Sequence, residues 1–182
     1  MAISEATYEQ VALEDPGGKW ELACGQLRSK PAMTTEHSAV VSELDHQLQP
    51  QVDWDVHVIR SNSSRLRIST GSYYVPDLCV LPRALERRLR AHPGTFEVYD
   101  DPLPLVVEVW SASTGNYDVE EKLREYQRRG DLEIWRLHPY DRTLTAWRRR
   151  PDGEYEQTIH RTGTVHLAAL PDVVIDVERL FN

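Results

Sequence analysis

Cysteine is scarce: the 182-residue chain has two, Cys24 and Cys79. They form no CxxC pair, which argues against a zinc knuckle or a disulfide framework. No apolar run approaches the roughly 18 residues needed to span a bilayer. The Met1-Ala2-Ile3-Ser4-Glu5 start lacks the basic head and apolar stretch of a signal peptide, so a cytoplasmic protein with reduced thiols and no membrane partner is expected. There is no GxGxxG, Walker loop or GxSxG, and hence no signal for a nucleotide cofactor or a hydrolase elbow. Ser111 and Ser113 have no histidine placed by sequence to activate them. His46, His57, His92, His138, His160 and His166 show no HxH or HExxH spacing, which argues against a histidine-rich metal site.

What is present reads as one globular domain over residues 1–182, with 40% apolar and 27% charged residues and no repeat or Gly/Ser linker. The net charge of -8 argues against nucleic-acid binding by bulk charge alone. That charge is unevenly spread. Residues 1–59 carry 3 basic and 10 acidic groups, and residues 92–182 carry 11 and 17. Residues 60–91 instead carry 7 basic groups and 2 acidic ones, and every basic group there is arginine, the side chain best shaped for phosphate. The plainer reading of that block is the solvated face of a helix near 83–91.

Composition and spacing predict a helix over Ser4–Glu14, stopped by Asp15-Pro16-Gly17-Gly18, and a hairpin with Trp20–Leu22 and Gln26–Arg28 flanking Cys24-Gly25. Thr34 or Thr35 can cap a helix in which Val40, Val41, Leu44 and Leu48 recur, ending at Pro50. Strands are expected at Trp54–Ile59, Arg65–Ile68 and Tyr73–Leu81, with turns at His92-Pro93-Gly94 and Asp100-Asp101-Pro102. Leu103–Trp110 is the most apolar run and reads as a central strand buried on both faces. A helix over Tyr117–Arg129, stopped by Gly130, precedes strands at Glu133–Leu137, Thr143–Arg148 and Tyr155–Ile159. The tail Ile175–Phe181 closes with a short helix. The order implies an α/β (α+β) fold with a central mixed sheet flanked by helices.

Binary patterning breaks at a few positions, where function is expected. Glu108 lies inside Leu105-Val106-Val107-Glu108-Val109-Trp110. A carboxylate there costs several kcal/mol unless protonated, paired or metal-bound. Lys122 edges the apolar stripe of Val119, Leu123 and Tyr126, and on periodicity alone it is a snorkelling lysine. Its helix directly follows the Glu108 strand, so the two groups can meet. Asp77 in Val75-Pro76-Asp77-Leu78 is either an edge or bulge residue or a second carboxylate brought beside Glu108. Two such carboxylates would need a cation between them, and hard oxygen ligands suit Mg²⁺ or Mn²⁺. Glu21 alone reads as a half-exposed strand residue, and His37 at a helix start is a weak signal.

Two strand carboxylates, a lysine on the next helix and an upstream glutamate resemble the PD-(D/E)XK nuclease superfamily. The likeness sharpens to its Uma-two-type restriction endonucleases, a large bacterial family. Trp20-Glu21-Leu22-Ala23-Cys24-Gly25-Gln26-Leu27 resembles that family's opening YELxDGEL, and Thr35-Glu36-His37-Ser38 resembles SxEHQ. Val75-Pro76-Asp77-Leu78-Cys79-Val80 is similar to xxPDVVV. Leu105–Thr114, followed by Asp118, Lys122 and Tyr126, is similar to LVVEVLSPST…D…K…Y. The resemblance spans about residues 5–150. Trp110 stands where the strict motif has lysine, Ala112 replaces a proline and Cys24 an aspartate.

The resemblance implies a restriction-endonuclease-like fold and hydrolysis of DNA phosphodiester bonds by a homodimer. Asp77 and Glu108, with the Val109 carbonyl, would hold Mg²⁺ or Mn²⁺. Glu21 would orient a metal-bound water, and Lys122 would position the attacking water. Arg60, Arg65, Arg67, Arg83 and Arg87 bracket Asp77 and are expected to grip the DNA backbone. The alternatives are a catalytically silent DNA- or protein-binding module and a glycosidase using Glu108 and Asp77.

Overall fold

The computed structural model describes residues 2–30, 33–69, 71–90, 95–112 and 115–182. Chain order is α1 (Glu5–Glu14), β1 (Trp20–Ala23), β2 (Gln26–Ser29), α2 (Thr35–Leu48), β3 (His57–Ser61), β4 (Leu66–Ser69), β5 (Ser72–Tyr74), β6 (Leu78–Pro82) and α3 (Arg83–Arg90). It continues with β7 (Leu105–Val109), α4 (Gly115–Arg129), β8 (Glu133–His138), β9 (Thr143–Arg149), β10 (Tyr155–His160), β11 (Thr164–His166), β12 (Val174–Asp176) and a 3-10 turn at Arg179–Phe181. Ser4 and Thr34 cap α1 and α2, their hydroxyls accepting from the Thr7 and His37 amides. Cys24 and Gly25 both adopt positive φ, 48° and 78°, which gives the two-residue hairpin turn between β1 and β2 its hand. Gly130, at φ 87°, ends α4.

Six strands form a mixed sheet in the order β10-β9-β8-β7-β6-β3, in which only β7 and β8 run parallel, joined through α4. A four-stranded antiparallel sheet has the order β2-β1-β5-β4, and β11 pairs with β12. Alternation along each central strand sorts side chains to two cores. Leu78, Val80, Leu105, Val107, Val109, Trp135 and Leu137 pack with Val40, Leu44 and Leu48 of α2. Cys79, Leu81, Val106 and Ile134 face the other way, against Leu66, Tyr74 and Tyr126. Glu108 shares the parity of Val106 and so faces α4. β7 is buried along its whole length, as its apolar run predicts.

Several expectations need correction. Tyr73–Leu81 is two strands in different sheets, because Pro76 has no amide to donate and the chain turns there. The strand expected from Trp54 starts at His57, residues 53–56 forming turns. β11 and β12 were not expected: each has only three residues, too short for a period-2 pattern to register. The turn placed at His92-Pro93-Gly94 lies outside the described residues.

Glu133 anchors the start of β8. Fully buried, it accepts from Trp135 Nε1 at 2.8 Å, Arg148 Nε at 2.9 Å and the Ala168 amide at 2.6 Å. Glu133→Ala leaves those donors without their partner and is expected to cost about 3 kcal/mol, lowering the melting temperature by roughly 6–12 °C. Calorimetry checks this; a shift under about 2 °C would mean the cluster contributes little.

Candidate active site

Strand register brings the two carboxylates together. Leu78 pairs with Val107 and Cys79 with Val106, so one further step sets Asp77 opposite Glu108. The Asp77 amide donates to the Val107 carbonyl at 3.1 Å, and the Val109 amide donates to Asp77 Oδ2 at 2.7 Å. β6 lies between β3 and β7, so Asp77 is not on a sheet edge. Helical spacing does the rest. Lys122 and Tyr126, one turn apart on α4, both reach Glu108 Oε1, at 3.3 and 2.7 Å. Glu21, on β1, accepts from Lys122 Nζ at 2.9 Å and from the Val75 amide at 2.8 Å through the same Oε1.

Glu21, Asp77, Glu108 and Lys122 are all buried, with exposures of 4%, 1%, 7% and 4%. This corrects two expectations: Glu21 is not half-exposed, and Lys122 does not snorkel. The Lys122 amine lies between two carboxylates and 5.3 Å from the centre of the Tyr74 ring, so its charge is met inside the protein. Two further groups surround Asp77. Lys30 Nζ is 2.7 Å from Oδ1, and His37 Nε2 is 3.1 Å from Oδ2.

The carboxylates respond to this setting in opposite senses. Burial pushes Asp77 up, but Lys30 and His37 outweigh it and hold the group well below the usual carboxylate range. Its pairing therefore stabilises the fold above that range and is lost on acidification. Burial raises Glu108, with Asp77 and Glu21 adding to the push and Lys122 and Lys30 opposing it, so ionising Glu108 costs stability as pH rises. Burial, with Glu108 alongside, keeps the Tyr126 phenol protonated and hence a donor.

Three buried carboxylates face two lysines and His37. Among the described residues no ready-made cage of three or more His, Cys, Asp or Glu ligands is present. The donor set nevertheless suits Mg²⁺, which keeps most of its waters and takes one or two carboxylates. Asp77 Oδ1, a buried oxygen without an aligned hydrogen bond, already faces a cation, the Lys30 ammonium at 2.7 Å.

The model of the Uma-two family, described as "Putative restriction endonuclease", matches residues 6–178. The chain belongs to the Uma-two family. A crystal structure described as a putative nuclease, from Anabaena variabilis, shares 18% identity with this Uma-two chain, with a TM-score of 0.72 over 89% of each chain. At that identity the likeness establishes the fold, which is restriction-endonuclease-like. No curated protein matches significantly. No described helix is long and apolar enough to cross a membrane.

In this Uma-two protein the arginine block is largely ion-paired. Arg60, Arg83 and Arg90 converge on the buried Glu86. Arg65 donates to the Tyr8 hydroxyl at 3.0 Å and sits 4.5 Å from the Phe96 ring centre. Arg67 meets Asp100 at 3.0 Å, and Arg87 is exposed on α3. Trp110, at the place of the strict motif's lysine, stacks on His138 with ring centres 4.4 Å apart. Sequence reasoning missed Lys30 and gave His37 and Tyr126 no role. Tyr126 was discoverable from its four-residue offset from Lys122; Lys30 carried no such signal.

Proposed function

We propose that this chain is a metal-dependent DNA endonuclease whose site is Glu21, Asp77, Glu108 and Lys122. The observation that carries the reading is a buried lysine held between Glu21 and Glu108, with Asp77 beside Glu108 on the next strand. Asp77 and Glu108, with the Val109 carbonyl, would hold Mg²⁺ or Mn²⁺; once bound, the ion supplies Lewis acidity, lowering the pKa of its water and neutralising phosphate charge. The Val109 amide and His37 fix the Asp77 carboxylate, and Tyr126 fixes that of Glu108. Glu21 holds the Lys122 ammonium in place, where a preorganised cation stabilises charge developing on phosphate oxygens. Arg87, with Arg60, Arg65, Arg67 and Arg83, would contact the backbone. Because most of these arginines already face acidic partners, DNA binding should be weak and salt-sensitive.

The test is incubation of the protein with plasmid and with single-stranded DNA in Mg²⁺, Mn²⁺ or EDTA. Cleavage in either metal that stops in EDTA is expected. Metal-independent binding without cleavage would replace this reading with a silent DNA-binding module.

A further inference from the structure

Lys30 belongs to none of the motifs, yet its amine lies deep in the site. It follows β2, its amide donating to the Lys19 carbonyl at 2.8 Å to continue the hairpin. Its Nζ donates to the Val75 carbonyl at 2.7 Å and to Asn62 Oδ1 at 3.3 Å. Asn62 is itself anchored, its amide donating to the Asp77 carbonyl at 2.9 Å. The contact between Nζ and Asp77 Oδ1 is 2.7 Å long but lies off the line of a hydrogen bond. Lys30 is therefore held beside Asp77 by neutral oxygens and meets the carboxylate as a charge.

We infer that Lys30 is an internal counter-cation for Asp77 that competes with the divalent ion for this carboxylate. The inference rests on the reading of Asp77 as a metal ligand. An ion binding at Oδ1 would stand within a few ångströms of the ammonium, where like charges repel strongly in a poorly solvated site. The ion must either displace Lys30 or bind against its field. Without metal, Lys30 is the cation that answers the buried Asp77 carboxylate. Either way the lysine opposes the metal at this carboxylate, and metal affinity is set lower than the oxygen donors alone would give.

Lys30→Gln tests this, because an amide can keep the bond to the Val75 carbonyl while removing the charge; Lys30→Met is the second variant should Gln not fold, and Lys30→Arg retains the charge. Mn²⁺ binding to the DNA-free protein, followed by electron paramagnetic resonance and by the metal-induced shift in melting temperature, is the readout. Lys30→Gln should bind Mn²⁺ roughly tenfold or more tightly than wild type and show a larger thermal shift, while Lys30→Arg gains neither. If Asp77→Asn abolishes wild-type Mn²⁺ binding but Lys30→Gln binds no more tightly than wild type, the Lys30 inference fails and the metal site stands. If neither wild type nor Lys30→Gln binds Mn²⁺ saturably, both fall.

Discussion

Lys122→Met should lower metal-dependent DNA cleavage by about a hundredfold or more, the scale at which single preorganised charge-stabilising groups act. The same change should destabilise the protein in EDTA. Glu21 and Glu108 share the Lys122 ammonium, at 2.9 and 3.3 Å, and both are buried. Removing it leaves two carboxylates without their common partner, a loss of about 3 kcal/mol by analogy with broken buried pairs. Part of that loss should return on adding Mn²⁺, since a cation at Glu108 restores positive charge to the cluster. Melting curves with and without metal, beside single-turnover cleavage, separate the two effects. Cleavage within about threefold of wild type would remove Lys122 from the mechanism.

Asp77→Asn is expected to be as severe and for a different reason. Asparagine keeps the shape and an oxygen for the Val109 amide, so the end of β6 should stay in register with β7. What disappears is the charge that would hold the ion and that answers Lys30 and His37. Mn²⁺ affinity should fall by about two orders of magnitude and cleavage by at least about a hundredfold. A variant that keeps wild-type Mn²⁺ affinity would place the metal elsewhere.

Much of the site could be read along the chain because its signals are local. Glu108 interrupts a run of buried apolar residues, and two-residue alternation places it on the face of Val106, toward α4. Lys122 is carried by the helix that connects β7 to its parallel neighbour β8, which packs back on the same sheet. The burial of Glu21 and the position of Lys30 are not local properties. They depend on β1 pairing with β5, Leu22 opposite Tyr73, which lays the first hairpin across the site from far away in sequence. Pro76 hid that arrangement, since Tyr73–Leu81 looks continuous until the chain is seen to leave one sheet and enter the other. Net charge misled in a related way. It counts all carboxylates as though they were surface groups, whereas Glu21, Asp77 and Glu108 are buried and answered by two lysines.

The most direct measurement is the single-turnover rate of Mn²⁺-dependent DNA cleavage by Glu108→Gln against wild type, with matched melting curves to show that both are folded. The amide can still accept from Lys122 and Tyr126, so the variant isolates the loss of charge at the proposed metal ligand. A fall of at least about a hundredfold is predicted; cleavage by Glu108→Gln at the wild-type rate would contradict the assignment of this cluster as the active site.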